Sequence, residues 1–239
     1  MKLNTKVVIL AGGFGTRILE KGEFTPKPMI PIGGRPIIGH IMDWYGSYGL
    51  SNFIAATGYL SEKIELYFES LSKEKPSWNL RAINTGLHSQ TGERIRQIFE
   101  QIPDDEIFLT YGDGLSNVDI RKLYDLHKSE GKIVTVTAVR PPARFGRLDL
   151  DGNIVRNFSE KQSSLEGWIN GGFFVVRRDV LAFLHNDNQP FESEPLTLLA
   201  SVGELAAYRH QGFWHPMDTK REQQDLEEIW NSTAAPWKV

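Results

Sequence analysis

The sequence predicts an α/β fold, a mostly parallel mixed β-sheet with helices on both faces. Over roughly the first 140 residues, short β-branched apolar runs alternate with segments of helical period, the order from which βαβ units build a parallel sheet. The alternation argues for a mostly parallel sheet covered on both faces, and the apolar, β-branched run in Lys6-Val7-Val8-Ile9-Leu10-Ala11 is its first strand candidate. Beyond Pro141 the alternation gives way to hairpin-like runs, read as an elaboration of the same sheet. The 239 residues are therefore expected to form a single unit with halves at about 1–140 and 141–239; no repeat, low-complexity tract or linker interrupts them.

Each element has a local cause. Pro31-Ile32-Gly33-Gly34-Arg35-Pro36 reads as a turn that sets proline near a helix start. Ile37, Ile41, Trp44 and Tyr48, joined by Ile38, Met42 and Tyr45, give that helix a broad apolar face, and Gly49 ends it. Phe53 to Ala56 is a short buried strand. Ser61 is expected to cap a helix with Ile64, Tyr67, Phe68 and Leu71 on its inner face, and Ser72 to Ser77 a surface loop. Leu80 to Ile83 is the next strand, followed by a turn-rich loop from Asn84 to Arg94 and a helix carrying Ile95, Ile98 and Phe99. Glu106 to Tyr111 is a strand running into Gly112-Asp113-Gly114. Ile120, Leu123, Leu126 and His127 mark a helix, and Ile133 to Val139 a strand bounded by Gly131 and Pro141. Arg147 to Leu150 and Ile154 to Phe158 read as a hairpin around Asp151-Gly152-Asn153. Trp168 to Val176 begins polar and becomes a buried strand; Val180 to Leu184 and Glu194 to Ala200 are short helices. Leu205 to Tyr208 is a strand, Phe213 to Asp218 a turn, and Lys220 to Trp230 a polar helix.

Composition narrows the function. Hydrophobic residues at 40% and charged residues at 24% are ordinary globular values, and a net charge of −3 argues against general affinity for nucleic acid or acidic membranes. The absence of cysteine excludes disulfides, thiolate metal sites and cysteine nucleophiles, and suits a reducing cytoplasm. The apolar run Val7 to Ala11 is too short for a signal peptide or membrane span, and no later run approaches the roughly 18 apolar residues a span needs.

Chemistry concentrates in the opening stretch. After the first strand, Gly12, Gly13 and Gly15 let backbone N–H groups surround a polyphosphate, and Arg17 and Lys27 bring positive charge. By itself the pattern also fits an ordinary strand and glycine-rich turn with solvated cations. A dinucleotide fingerprint starting at Gly13 fails because position 18 is Ile18, and no Gly-Lys-Ser/Thr run supplies a P-loop. Asp113, between glycines at the carboxyl end of a strand, lies where open α/β sheets bind ligands, or else closes a tight turn. The six histidines show no metal-ligand spacing.

The motifs together resemble a known family, the sugar-1-phosphate nucleotidylyltransferases, and within it the glucose-1-phosphate cytidylyltransferases. The resemblance is carried in order by Leu10-Ala11-Gly12-Gly13-Phe14-Gly15-Thr16-Arg17, Pro26-Lys27-Pro28-Met29, Thr91-Gly92-Glu93-Arg94 and Thr110-Tyr111-Gly112-Asp113-Gly114. It continues through Pro141-Pro142-Ala143-Arg144-Phe145-Gly146, Glu160-Lys161, Trp168-Ile169-Asn170-Gly171-Gly172-Phe173-Phe174 and Gly212-Phe213-Trp214-His215-Pro216-Met217-Asp218-Thr219. It implies a Rossmann-like fold with a β-hairpin-rich, sugar-binding second half, and a reaction in which a sugar-1-phosphate oxygen attacks the α-phosphorus of a nucleoside triphosphate, expelling pyrophosphate. On this likeness Arg17, Lys27, Asp113, Lys161 and Asp218 carry the chemistry, with Asp113 and Asp218 holding Mg²⁺. Leu10, Ala11, Gly12, Gly13, Gly15, Thr16, Arg17, Lys27, Thr85, Ser89, Gly92, Arg94 and Gly112 bind the nucleotide, CTP by the nearer likeness. Tyr111, Gly146, Glu160, Lys161, Asn170, Gly171 and Trp214 bind the sugar 1-phosphate.

The sequence departs from the family pattern in places. Gln162 stands where proline usually follows Glu-Lys, and Ser163-Ser164-Leu165 replaces a charged, Gly-rich stretch, which bears on the loop around the sugar. The segment between Phe68 and Asn84 is shorter than in the cytidylyltransferases, where that region makes subunit contacts, so assembly as a homo-oligomer is left open. Leu87, His88, Gln90 and Glu93 differ from the usual base-reading residues, which bears on base choice. Three other readings stand beside the first: transfer of a different nucleotide, a catalytically silent binder of nucleotide sugars, and a glycosyltransferase. The last would usually carry Asp-x-Asp, whose spacing only Asp149-Leu150-Asp151 matches, at a hairpin turn.

Overall fold

In the computed structural model, which describes residues 5–14, 25–141, 147–151, 154–159, 167–185, 188–232 and 235–239, the chain is built around β1 (Lys6–Ala11). Alternate side chains of a strand face opposite ways. Val7 and Ile9 accordingly enter one hydrophobic cluster and Val8 and Leu10 another, so this strand needs cover on both faces. A small hairpin of β2 (Pro31–Ile32) and β3 (Arg35–Pro36), turning on Gly33 and Gly34 at positive φ, leads into α1 (Ile37–Ser47). Next come β4 (Asn52–Thr57), α2 (Ser61–Glu74), β5 (Asn79–Asn84), α3 (Thr91–Gln101) and β6 (Glu106–Tyr111). They are followed by β7 (Gly114–Ser116), α4 (Ile120–Glu130), β8 (Val134–Val139), and the hairpin of β9 (Arg147–Asp151) and β10 (Ile154–Ser159). The described chain ends with β11 (Ile169–Arg177), a 3₁₀ turn at Arg178–Phe183, α5 (Glu194–Ser201), β12 (Leu205–Arg209), β13 (Trp214–Pro216), α6 (Lys220–Asn231) and the 235–239 segment.

The main sheet has seven strands in the order β12-β8-β11-β6-β1-β4-β5. Its β6-β1-β4-β5 part and the β8-β12 pair are parallel, while β11 runs antiparallel between β6 and β8. Helices α1, α2, α4 and α6 cover one face through residues such as Ile41, Phe68, Leu123 and Leu226. On the other face lie α3, α5 and the 3₁₀ turn, with Ile98, Leu199 and Val180. The predicted α/β class with a mostly parallel mixed sheet is thus the observed one. The chain leaves β1 toward β4 on one side and finds β6 on the other, so strand order reverses at β1, and the crevice beyond the carboxyl ends of β1 and β6 is where such sheets bind ligands.

Local expectations needed correction at three points. Ser61 does not cap α2; Leu60, at φ 51, precedes the helix and Ser61 is its first residue. That helix runs on to Glu74, with Ser72 Oγ donating back to the Phe68 carbonyl, so only Lys75 to Trp78 remain to reach β5. The 31–36 turn stands as expected, with Pro36 directly before α1, and two-residue strands flank it. Finally, Trp214 to Pro216 form a strand rather than part of a turn, pairing antiparallel with β7.

Candidate active site

A cavity of about 220 Å³ opens at the carboxyl ends of β1 and β6, walled by Leu10 to Gly13, Lys27, Pro28, Ser89 to Thr91, Arg94, and Tyr111 to Asp113. Gly12 is needed there sterically, because a Cβ would fall 2.1 Å from the Arg94 guanidinium. Arg94, only 4% exposed, lies behind the loop with all its contacts to neutral oxygens: Nη1 donates to the Thr57 carbonyl (2.8 Å) and Thr85 Oγ1 (2.5 Å), and Nη2 to the Gly12 carbonyl (3.0 Å). Burial lowers its pKa from the ordinary range. A buried guanidinium bonded only to dipoles leaves a positive field in the cavity that it helps to wall, and the groups that such a field attracts are anions. Gly112 closes the opposite wall: its N–H bonds the Leu10 carbonyl at 3.1 Å, and a Cβ would meet that oxygen at 2.9 Å.

Lys27 enters this cavity from a short 3₁₀ turn whose direction Pro26 and Pro28 fix. Its Nζ donates to Asp113 Oδ2 and to Asp218 Oδ1, each at 2.5 Å. Burial pulls the lysine pKa down, but the two carboxylates outweigh it and the net shift is upward, so the ammonium is retained. Both aspartates keep about a third of their side-chain surface exposed, 36% and 35%. What brings these aspartates together is the β7–β13 ladder. Trp214 pairs with Ser116, His215 with Leu115 and Pro216 with Gly114, and the next rung, Met217 N–H to the Asp113 carbonyl at 2.8 Å, sets Asp218 beside Asp113. Asp218 is not the cap of the following helix; Thr219 is, in a capping box with Glu222, whose Oε2 accepts from the N–H of both Asp218 (2.7 Å) and Thr219 (2.9 Å).

A second cavity, of about 300 Å³, shares Tyr111 and Asp113 with the first. Thr110, Gly114, Ile169 to Phe173, Trp214, Pro216 and Asp218 complete its walls. Gly172 adopts φ +78, and a Cβ there would meet the Tyr111 ring at 2.5 Å. Trp214 Nε1 donates to the Gly171 carbonyl at 2.7 Å, fixing the indole as a wall. Asn170 Nδ2 donates to the Tyr111 hydroxyl at 3.0 Å, while Oδ1 accepts from Gly172 N–H at 2.8 Å. The seam between the cavities is therefore Tyr111 and Asp113, with Lys27 and Asp218 at its ends.

Several residues read from the sequence stand elsewhere. Thr85 and Gly92 stand outside the lining of the first cavity: Thr85 is 1% exposed, bonded to Thr57 and Arg94, and the Gly92 N–H is taken by the Gln189 carbonyl at 3.1 Å. Ser89 is in the wall and donates to the Thr85 carbonyl. Glu93 is held on α3 by Arg96 and Gln97. Gly15, Thr16, Arg17, Gly146, Glu160 and Lys161 lie outside the described residues. Among the described residues no group of three or more potential ligands surrounds a metal position. Gln90, read from the sequence as bearing on base choice, lies in the first wall, whereas sequence reasoning missed Thr91 and Pro28 there and Glu192 behind the seam. Thr91 and Pro28 stood inside the recognised motifs, but Glu192 belongs to a stretch with no signal beyond an approaching helix.

Comparisons with known proteins agree with this geometry. The nucleotidyl transferase family matches residues 6–216. A curated glucose-1-phosphate cytidylyltransferase from Salmonella typhi is 44% identical over 254 aligned positions, covering 98% of this chain and 99% of that one. A probable glucose-1-phosphate cytidylyltransferase from Bacillus subtilis is 41% identical, again covering 98% and 99%. The crystal structure of HddC from Yersinia pseudotuberculosis shares the fold, with a TM-score of 0.72 at 24% identity over 95% of this chain and 99% of that one. With the crevice, the paired cavities and these matches in agreement, the chain belongs to the nucleotidyl transferase family, as a sugar-1-phosphate nucleotidylyltransferase related to the glucose-1-phosphate cytidylyltransferases.

Proposed function

We propose that this chain transfers a cytidylyl group from CTP to α-D-glucose 1-phosphate, giving CDP-glucose and pyrophosphate. One observation supports the reaction class above all: two cavities meet along Tyr111 and Asp113, and the Lys27 ammonium spans Asp113 and Asp218 at that seam. A transfer between two substrates needs two adjoining sites and a concentration of charge where they touch. In this reading the first cavity takes the triphosphate, with the buried Arg94 charge behind Gly12, and the second takes the sugar phosphate, with Asn170 offering a hydrogen bond. Lys27 contributes positive charge to phosphate oxygens as pyrophosphate departs. The choice of CTP and glucose comes from the relatives' names.

The donor set suits Mg²⁺. Two carboxylates, each about a third exposed, converge on the Lys27 ammonium, and Mg²⁺ favours a pair of carboxylates completed by phosphate and water oxygens. Asp113 and Asp218 would hold it, and when bound it would neutralise charge on the phosphates. A cysteine-free sequence fits a reducing cytoplasm, and among the described residues no helix is long and apolar enough to cross a membrane.

The test is pyrophosphate release, with and without Mg²⁺, across a matrix of nucleoside triphosphates and sugar 1-phosphates. The expected result is the fastest release with CTP and glucose 1-phosphate and none after chelation. Faster release with UTP, dTTP or GTP would overturn the base, and a blank matrix would overturn the activity.

A further inference from the structure

We infer that Glu192 is a positioning residue that ties the two cavities together and presents Asn170 to the sugar phosphate as a hydrogen-bond donor. The inference rests on the two-cavity reading above. Glu192 lies just before α5, and its carboxylate spans two hydroxyl groups: Thr91 Oγ1 donates to Oε2 at 2.6 Å and the Tyr111 hydroxyl donates to Oε1 at 2.5 Å. Thr91 walls the nucleotide cavity, whereas Tyr111 belongs to both. Directions in this network are forced. An ionised carboxylate has no proton to give, so both hydroxyls must donate to it.

With its proton committed to Glu192, the Tyr111 oxygen can only accept. Asn170 must therefore turn its NH₂ toward Tyr111, at 3.0 Å, and its carbonyl oxygen toward Gly172 N–H, at 2.8 Å. The second N–H of that amide is left for a ligand in the cavity that Asn170 walls, and an oxygen of a sugar or its phosphate is the acceptor that fits. Without Glu192 the phenol is free to rotate and turn its own proton toward the Asn170 NH₂, which Gly172 N–H keeps facing it, so the amide would lose the acceptor that seats it and hold its second N–H less firmly toward the sugar. Thr91 is secured at the same time, since Phe191 N–H donates to its Oγ1 at 2.7 Å.

The experiment measures steady-state constants for both substrates, with thermal melts, in wild type, Glu192→Ala, Glu192→Gln, Asn170→Ala and the Glu192→Ala/Asn170→Ala double variant. Glu192→Ala should raise the sugar-phosphate KM about tenfold with a smaller change in kcat. Glu192→Gln, whose amide can still accept from Tyr111, should bring that KM back to within about threefold of wild type. In the Asn170→Ala background the further loss of Glu192 should change the KM little, because the interaction it supports is already gone. An unchanged KM in Glu192→Ala, or effects that simply add, would overturn the inference while leaving the activity intact. If Glu192→Ala does not melt cooperatively, Tyr111→Phe takes its place, since it removes the hydroxyl between Glu192 and Asn170 and keeps the ring. A wild type silent with every substrate pair overturns the proposed activity and this inference with it.

Discussion

Lys27 has a double environment, buried enough to be discouraged from carrying charge and flanked by two carboxylates that more than reverse that effect. The arrangement is asymmetric in what its loss does. Each aspartate is about one-third open to solvent, so replacing either leaves a hydrated site and a second carboxylate to hold the lysine, and the fold has little at stake. The chemistry has much more at stake, because neutralising the charge of phosphate groups is nearly all that such a site contributes. Asp113→Asn and Asp218→Asn should each lower turnover by about 100-fold or more, with melting temperatures close to wild type. Pyrophosphate release beside a thermal melt is the check, and wild-type turnover in either variant would remove that carboxylate from the reaction. Gly12 shows a different kind of residue-scale constraint: its missing side chain is what lets Arg94 lie directly behind the loop.

At the scale of elements, the active geometry depends on pieces that are weak on their own. The ladder of β7 with β13 is three residues long on each strand, and it continues into the capping box that starts α6. Thr219→Ala removes the acceptor for Glu222 N–H and should destabilise the protein by about 1 kcal/mol in chemical denaturation. Because Glu222 also holds the Asp218 N–H, kcat should fall as well; a variant as stable as wild type would show that the box has no role in seating Asp218. The same elements show why the sequence was legible in some places and opaque in others. Strands such as β1, β4, β6 and β8 announce themselves through runs like Val7 to Ala11, since burial on both faces demands apolar side chains throughout. Trp214-His215-Pro216 carries no such signal; it is a strand only because Gly114 to Ser116, distant in sequence, offers a partner. The antiparallel insertion of β11 between β6 and β8 is likewise a matter of register, which no local pattern states. Among site residues, the recognised motifs carried Lys27, Asp113 and Asp218 because their chemistry dictates type and order. Glu192 escaped because its role arises from two hydroxyl groups that folding brings to it.

For the molecule as a whole, buried histidines link the fold to pH. His40 is 3% exposed where α1 meets the C-terminal segment; its Nε2–H donates to the Ile32 carbonyl at 2.8 Å, and its ring lies 4.8 Å from that of Trp230 and 6.4 Å from that of Trp237. His210 is 7% exposed beside Ser116 at the β7–β13 ladder, with Nε2 3.0 Å from the Phe213 carbonyl. Burial holds both below the ordinary histidine value of 6.5, outweighing the carbonyl contacts that favour the charged form. Below about pH 6.5 the unfolded chain therefore takes up protons that the native one refuses, and stability present above that pH is lost as pH falls toward the native values. Glu106 follows a separate course: burial alone would raise its pKa, but hydrogen bonds from His127 and Lys128 bring it from 4.5 to about 2, so its contribution is complete above pH 4.5 and disappears toward pH 2. The melting temperature should consequently fall in two stages on acidification, the first beginning below about pH 6.5 from the histidines and the second between about pH 4.5 and 2 from Glu106. His40→Gln, which keeps an N–H donor but cannot titrate, should shrink the first stage to the His210 share and leave the second. Since His40 and His210 lie under the elements that carry Asp218, activity should decline reversibly over the first stage. A melting temperature that shows no fall below about pH 6.5 before the Glu106 stage begins near pH 4.5 would show that burial does not hold these histidines neutral.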